Sequence, residues 1–217
     1  MWSILGPVGV LIEKGGPAVM VPLLLTSVIG VAVIIERTLA LWKASRDSGQ
    51  LMDEVKPLVM KGDVQGAIAL AESQPGPAAA VIANGLRNSH LGQEEIERVM
   101  EELALAEVPE LSKRLAWLDT IVTLAPLLGL LGTVTGMIRA FHFVGGGAKN
   151  IGAVTGGVAE ALYATATGLT IAVVALVFYN LLTDKVREIV ATMELRATQL
   201  LNILATMRGR ESKAAVR

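Results

Sequence analysis

The sequence contains no cysteine, and only two of its 217 residues are histidines, His90 and His142. The first absence excludes disulfides, thiolate metal sites and cysteine nucleophiles. The second leaves any zinc site short of nitrogen ligands, and no carboxylates stand at a spacing that would replace them. No metal and no cofactor are expected. Aromatic residues make up 4% of the chain and charged residues 18%, the latter below the roughly 25% typical of soluble domains. Lys and Arg total 19 against 20 for Asp and Glu, so net charge points to no polyanion, and no nucleic-acid partner is expected.

The scarcity of charge is concentrated. Residues 15–35 (GGPAVMVPLLLTSVIGVAVII), 120–138 (TIVTLAPLLGLLGTVTGMI) and 161–183 (ALYATATGLTIAVVALVFYNLLT) hold no charged side chain at all. A membrane-spanning helix needs about 20 mainly apolar residues, and all three stretches qualify. Helices buried in a large soluble protein are the alternative, but so short a chain cannot surround three of them. The first stretch is expected to remain as an anchor. Its apolar core is longer than the roughly 7–15 residues of a signal peptide, and no basic segment precedes it.

Flanking charges set an orientation. Arg37, Lys43 and Arg46 follow the first stretch, Lys113 and Arg114 precede the second, and Lys185, Arg187 and Arg196 follow the third. The other side has only Lys14, Arg139 and Lys149. By the positive-inside rule the N-terminus lies outside and the C-terminus inside, in the cytoplasm. The expected fold is an all-α membrane protein with three transmembrane helices, the second and third extended into a cytoplasmic helical bundle. The expected division is an external N-terminal segment 1–14, spans at 15–35, 120–143 and 158–183, a cytoplasmic helical region 36–119, an external loop 144–157, a cytoplasmic helical extension 184–208 and a tail 209–217.

Within 36–119 the pattern is helical. Asp47 or Ser48 is a candidate cap for a helix over 47–60, and Asp63 for a second short helix. QPGP at 74–77 ends that one, and a third runs from about Pro77 to Arg87. Apolar residues at helical spacing then follow (Ile96, Val99, Met100, Leu103, Leu111, Leu115, Leu118), with Pro109 as an expected kink. No turn signal separates this run from the second span, so one long helix is expected. The third span continues in the same way from about 158 to 207, roughly 75 Å at 1.5 Å per residue. Its apolar stripe beyond the membrane needs a partner, either the helix before the second span or a neighbouring subunit. The tail ESKAAVR is expected to be unstructured.

Small residues form stripes in two of the spans. In the second, Ala125, Gly129, Gly132, Gly136 and Ala140 recur every three or four residues, with Thr133 beside them. In the third, Ala161, Thr165, Gly168, Ala172 and Ala175 do so, with Tyr179 continuing the line. Inside lipid, helices associate by close backbone approach, so such stripes mark contact faces. A tight helix–helix interface is one reading; a wall against a channel or a foreign helix is the other. Thr133 lies six residues before Arg139 and Thr165 five after Glu160, roughly 9 Å and 7.5 Å along the axis, so the hydroxyls can share one polar layer. Arg139 and Glu160 sit where an ionisable group is costly unless paired, snorkelling or facing water. No Asp, Glu or His occupies the middle of a span, and a hydroxyl does not titrate near neutral pH. If the protein moves protons, the titrating carboxylate must come from a partner. His142, near one end, reads as an interfacial polar residue. No Ser/His or paired-Asp arrangement inside a span suggests an intramembrane enzyme, and three spans are few for a permease.

The segments APLLGLLGTVTGMIRAF at 125–141 and GGVAEALYATATGLTIAVVALVFYN at 156–180 resemble the MotA/TolQ/ExbB proton channel family, and three spans favour its ExbB/TolQ branch. The resemblance implies a homo-pentamer around a dimer of ExbD/TolR-like single-span proteins that supply the titrating Asp. It also implies a bacterial inner-membrane, multi-pass, non-enzymatic motor subunit. Such a subunit couples the proton gradient to work on a TonB-like or TolA-like protein, for outer-membrane uptake or for envelope maintenance. By that resemblance Thr133, Thr165 and Glu160 line the pore or proton pathway. Pro126 and Gly129 shape the second span, Gly132, Gly136, Gly168 and Ala172 serve helix packing among membrane lipids, and Asn180 marks the cytoplasmic exit of the third. Tyr163, Thr167 and Arg139 depart from the family's usual residues. A non-conducting oligomeric scaffold is the alternative from a different class.

Overall fold

The computed structural model describes residues 7–45, 49–145 and 151–215. Among these residues, every regular element is an α-helix: α1 (Pro7–Gly15), α2 (Pro17–Ala44), α3 (Gly49–Met60), α4 (Val64–Ser73), α5 (Pro77–Arg87), α6 (Gln93–Leu111), α7 (Leu115–Gly145) and α8 (Ile151–Ala215). Helices α1, α2 and α5 each open on proline, whose fixed φ suits the first turn and whose missing N–H is not needed there. The candidate caps Asp47 and Ser48 lie outside the described residues. Asp63 does cap α4, its Oδ1 accepting from Gly66 N at 2.9 Å. Among the described residues, three helical stretches are long and apolar enough to cross a membrane; they contain the second and third charge-free segments whole and the first from Pro17 onward. The chain is an all-α protein with three such helices and a helical bundle.

Four local features differ from the sequence reading. A short helix, α1, precedes the first span, and Gly16 at φ +78° makes the sharp turn between them. The run expected as one helix is broken between Leu111 and Leu115, where Arg114 takes φ +62°. A left-handed non-glycine residue costs roughly 1–2 kcal/mol. Pro109, lacking an N–H, weakens the final turn of α6, and ion pairs hold the break: Arg114 to Glu36 at 3.1 Å and Lys113 to Glu110 at 2.9 Å. Helix α8 begins at Ile151, inside the segment expected as loop, and runs to Ala215, through most of the segment expected as tail.

The chain divides into two units. One gathers α1, α2 as far as Glu36, α7, and α8 as far as Leu181; the other holds Arg37 to Lys113 and α8 from Leu182 onward. In the first unit, Ile12, Val19, Met20, Leu23, Ala125, Ala164 and Ala172 form the buried cluster. Its large apolar side chains mostly point outward. Leu25, Val28, Leu127, Ile138, Phe141, Leu162 and Val173 are each at least 60% exposed. An apolar exterior on that scale is incompatible with water and suits lipid.

The second unit is built as a water-soluble bundle. Helices α3 to α6 meet in succession and bury Val55, Val59, Val81, Ile82, Leu86, Ile96 and Met100. The α8 segment of this unit adds Ile189, Met193, Leu200 and Leu204. Gly85 leaves no room for a side chain, since an added Cβ would sit 2.5 Å from Met100 Sδ and 2.8 Å from Leu200 Cδ2. The stripe on α8 therefore finds its company within the same chain. Buried Arg37 donates to the Glu110 carbonyl at 3.2 Å, and Arg208 donates to the carbonyls of Ser89 and Leu91.

Candidate functional site

The small-residue stripes of α7 and α8 meet, antiparallel, with backbone against backbone. A Cβ added to Gly129 would lie 3.1 Å from both Ala164 O and Thr165 Cα. One on Gly168 would lie 2.5 Å from Ala125 O, and one on Gly136 2.9 Å from Gly157 O. Gly132 faces Ala164, with 2.3 Å to its Cβ, and Val19 of α2 closes the same spot at 3.2 Å. None of these positions tolerates a side chain without the helices moving apart. Glycine is required here for clearance, and the helical conformation it adopts is an ordinary one.

The hydroxyls divide into two kinds. Thr26, Thr133, Thr135, Thr167 and Thr170 each donate to a carbonyl three or four residues earlier in their own helix. Thr165 instead donates to Gly129 O of α7 at 3.0 Å. It reaches that oxygen because Gly129 presents a bare backbone. Thr133 is half-buried, its hydroxyl 2.6 Å from Leu130 O, and it borders a shallow apolar hollow with Val134, Met137, Ile138 and Phe141. Within one chain the two threonines are not level. Thr165 sits opposite Gly129, and Thr133 is four residues further along α7, about 6 Å by helical rise.

Beyond the stripes, Arg139 Nη1 lies 2.7 Å from Glu160 Oε1, so the two charges pair. The approach lacks hydrogen-bond alignment. Oε1 is shut off from solvent without a hydrogen-bond partner, and charge alone holds it. The same oxygen rests against Gly16, where a Cβ would come within 1.8 Å. Ala172 is buried in the common cluster, and Pro126 stands inside α7, one turn from Gly129. Asn180 is exposed on α8, and among the described residues no three His, Asp or Glu side chains cluster as metal ligands would.

Four contributors escape sequence reading. Gly157 meets Ala140 (a Cβ would be 2.9 Å from its Cβ), Ala164 is fully buried opposite Gly132, and Gly16 and Val19 come from the N-terminal helices. Gly157 and Ala164 lie at three- and four-residue steps from Ala161 and Gly168 and are legible as part of the stripe. Gly16 and Val19 leave no signal, because their contacts are made across more than a hundred residues of chain.

The profile of the MotA/TolQ/ExbB proton channel family matches residues 73–195, which contain both stripes. A protein of Synechocystis sp. described as ExbB-like 3 is 36% identical over 169 residues, covering 76% of this chain and 80% of its own length. The biopolymer transport protein ExbB of Aquifex aeolicus is 34% identical, covering 64% of this chain and 88% of its own. The Tol-Pal system protein TolQ of Haemophilus influenzae is 38% identical over 98 residues, 43% of each chain. With three helices of spanning length and the glycine-rich α7–α8 contact inside the matched region, the chain is a multi-pass membrane protein that belongs to the MotA/TolQ/ExbB proton channel family, in its ExbB/TolQ branch.

Proposed function

We propose that this chain is the channel subunit of an ion-driven motor of the ExbB–ExbD or TolQ–TolR kind, set in a bacterial inner membrane with its N-terminus periplasmic. Five copies surround two helices of a single-span partner whose aspartate takes up and releases the proton. The resulting motion does mechanical work on a periplasmic protein. The ExbB-like relative covers 76% of this chain and the TolQ relative 43%, which favours TonB-type outer-membrane uptake over Tol-type envelope maintenance.

The observation that carries this reading is a membrane wall with hydroxyls and no acid. Between Thr120 and Ile138, and between Ala161 and Thr183, there is no Asp, Glu or His. Thr133 and Thr165 nevertheless place oxygens among glycine and alanine, where a neighbouring helix can come close. Glu160 supplies a carboxylate near one end of that wall, paired with Arg139 at 2.7 Å. The role of the chain is then mechanical and electrostatic, with no bond made or broken in a substrate.

The test is partner-dependent proton flux in liposomes for Thr133→Ala and Thr165→Ala. Each is expected to lower flux about fivefold, what one net hydrogen bond of about 1 kcal/mol is worth, with assembly retained. Wild-type flux in both variants would favour the second reading, a non-conducting oligomeric scaffold. That reading draws on one observation: the Thr133 hydroxyl is already satisfied by Leu130 O of its own helix.

A further inference from the structure

The channel reading uses Arg139 only to balance Glu160 and gives Tyr163 no task. Arg139 stands six residues before the last residue of α7 and Tyr163 twelve residues after the first of α8; Tyr163 meets α1 directly, and Arg139 reaches the Gly16 turn through Glu160. Lys14, at the end of α1, holds its ammonium 5.7 Å from the centre of the Tyr163 ring, within cation–π range. Gly16, two residues on, lies directly over Glu160 Oε1, and its φ of +78° together with the 1.8 Å clearance leaves no place for any side chain. Glu160 is in turn the partner of Arg139. Ile12 of α1, only 7% exposed, inserts into the cluster formed by Met20, Leu23, Ala125 and Ala164.

We propose that Lys14, Arg139, Glu160 and Tyr163 form an electrostatic clasp that docks α1 and the Gly16 turn onto the α7–α8 pair. The physical case begins with the buried carboxylate oxygen. Without an aligned hydrogen bond, Glu160 Oε1 stays under Gly16 only because a cation stands beside it; a buried charge stripped of its partner is strongly unfavourable. Arg139 therefore acts through Glu160 and is a positioning residue. The Tyr163 ring, 41% exposed, offers its negative face to Lys14, itself exposed, so this contact lies at the weak end of the cation–π range and orients α1 more than it anchors it. Ile12 adds an apolar anchor in the cluster with Met20, Leu23, Ala125 and Ala164. The clasp joins three stretches of sequence that local pattern leaves unconnected, and it holds whether or not the chain conducts protons.

The absence of cysteine makes the proposal directly testable, since introduced thiols are the sole labelling sites. Spin labels at Val10→Cys on α1 and Leu162→Cys on α8, both at exposed positions, are read by pulsed electron–electron resonance. The full chain is placed in lipid nanodiscs and diluted into unlabelled copies, so that only distances within one chain count. The unmodified clasp is expected to give one narrow distance. Arg139→Gln, Tyr163→Leu and Gly16→Ala should each lose it. Tyr163→Phe, which keeps the ring face, and Arg139→Lys, which keeps the charge, should retain it. A second pair, Leu131→Cys and Leu169→Cys, reports on α7 and α8 themselves and is expected to stay narrow throughout. Survival of the α1–α8 distance in Arg139→Gln or Tyr163→Leu overturns the clasp. So does its loss in Tyr163→Phe or Arg139→Lys, or a simultaneous loss at the α7–α8 pair, which would mean the residues serve general folding. None of these readings depends on flux, so failure here leaves the channel proposal standing, and the reverse also holds.

Discussion

Where α7 and α8 touch, the buried positions are Gly129, Gly132, Gly136, Ala161, Ala164 and Gly168, while Leu127, Leu162 and Val173 face outward. In the unit that holds α3 to α6, the buried positions are Ile82, Leu86, Met100 and Leu200, while Glu94, Glu97, Glu101 and Arg98 face outward. The two arrangements answer to two solvents. In water, burying a large apolar side chain is worth about 1.5–3 kcal/mol, so size belongs inside. In lipid that gain vanishes, and association depends on how closely backbones can approach, so size belongs outside. Helix α8 obeys the second rule up to about Leu181 and the first from Leu182 onward, and Asn180 stands at the change.

The contrast can be broken most severely at the α7–α8 seam. Gly168→Leu would drive a Cβ to 2.5 Å from the Ala125 carbonyl oxygen, a backbone atom that cannot step aside. Complete loss of assembled protein is expected by native mass spectrometry. Gly156→Leu, at a glycine with nothing within 4 Å of the added carbon, should assemble normally. An intermediate effect separates the two rules directly. Leu200→Ala removes a fully buried side chain and should cost about 2–5 kcal/mol in unfolding monitored by circular dichroism in detergent. Val173→Ala, on the lipid-facing side, should cost less than about 0.5 kcal/mol. Equal losses at both sites would show that one solvent rule governs the whole chain. The smallest effect is expected at the α4 cap. Asp63→Ala removes the bond from Gly66 N and should cost about 1 kcal/mol by the same measurement, with no change in the seam.

Much of this was legible in the sequence, and the reasons differ by feature. The charge-free segments identified the three apolar helices because a membrane demands length and composition together. Asp63 and the Pro77–Arg87 helix were legible because caps and prolines act locally. The break at Arg114 was not, since Lys113 and Arg114 are good helix formers and the left-handed turn is held by ion pairs, one of them to Glu36, distant in sequence. The stripes of α7 and α8 were visible as periodic small residues. Their mutual register, which sets Thr165 opposite Gly129, depends on tertiary fit that periodicity does not encode. For Arg139 and Glu160 the sequence left pairing open beside snorkelling and facing water, and only geometry could choose the pair. Gly16 lay inside the first charge-free segment, where nothing in the sequence marks either the turn or the Glu160 carboxylate against it.

The direction of the threonine hydrogen bonds has a consequence for what this wall can recognise. A carbonyl oxygen only accepts, so the single hydroxyl proton of Thr165 is committed to Gly129, and that of Thr133 to Leu130. Toward any visitor both side chains offer lone pairs alone. A neutral carboxylic acid can donate to such a surface, whereas a carboxylate meets only electron density and is turned away. Under the proposed function, the surface would discriminate between the two protonation states of a partner's acid. It would do so without a titrating group of its own, and a partner acid would be admitted to it only while carrying its proton.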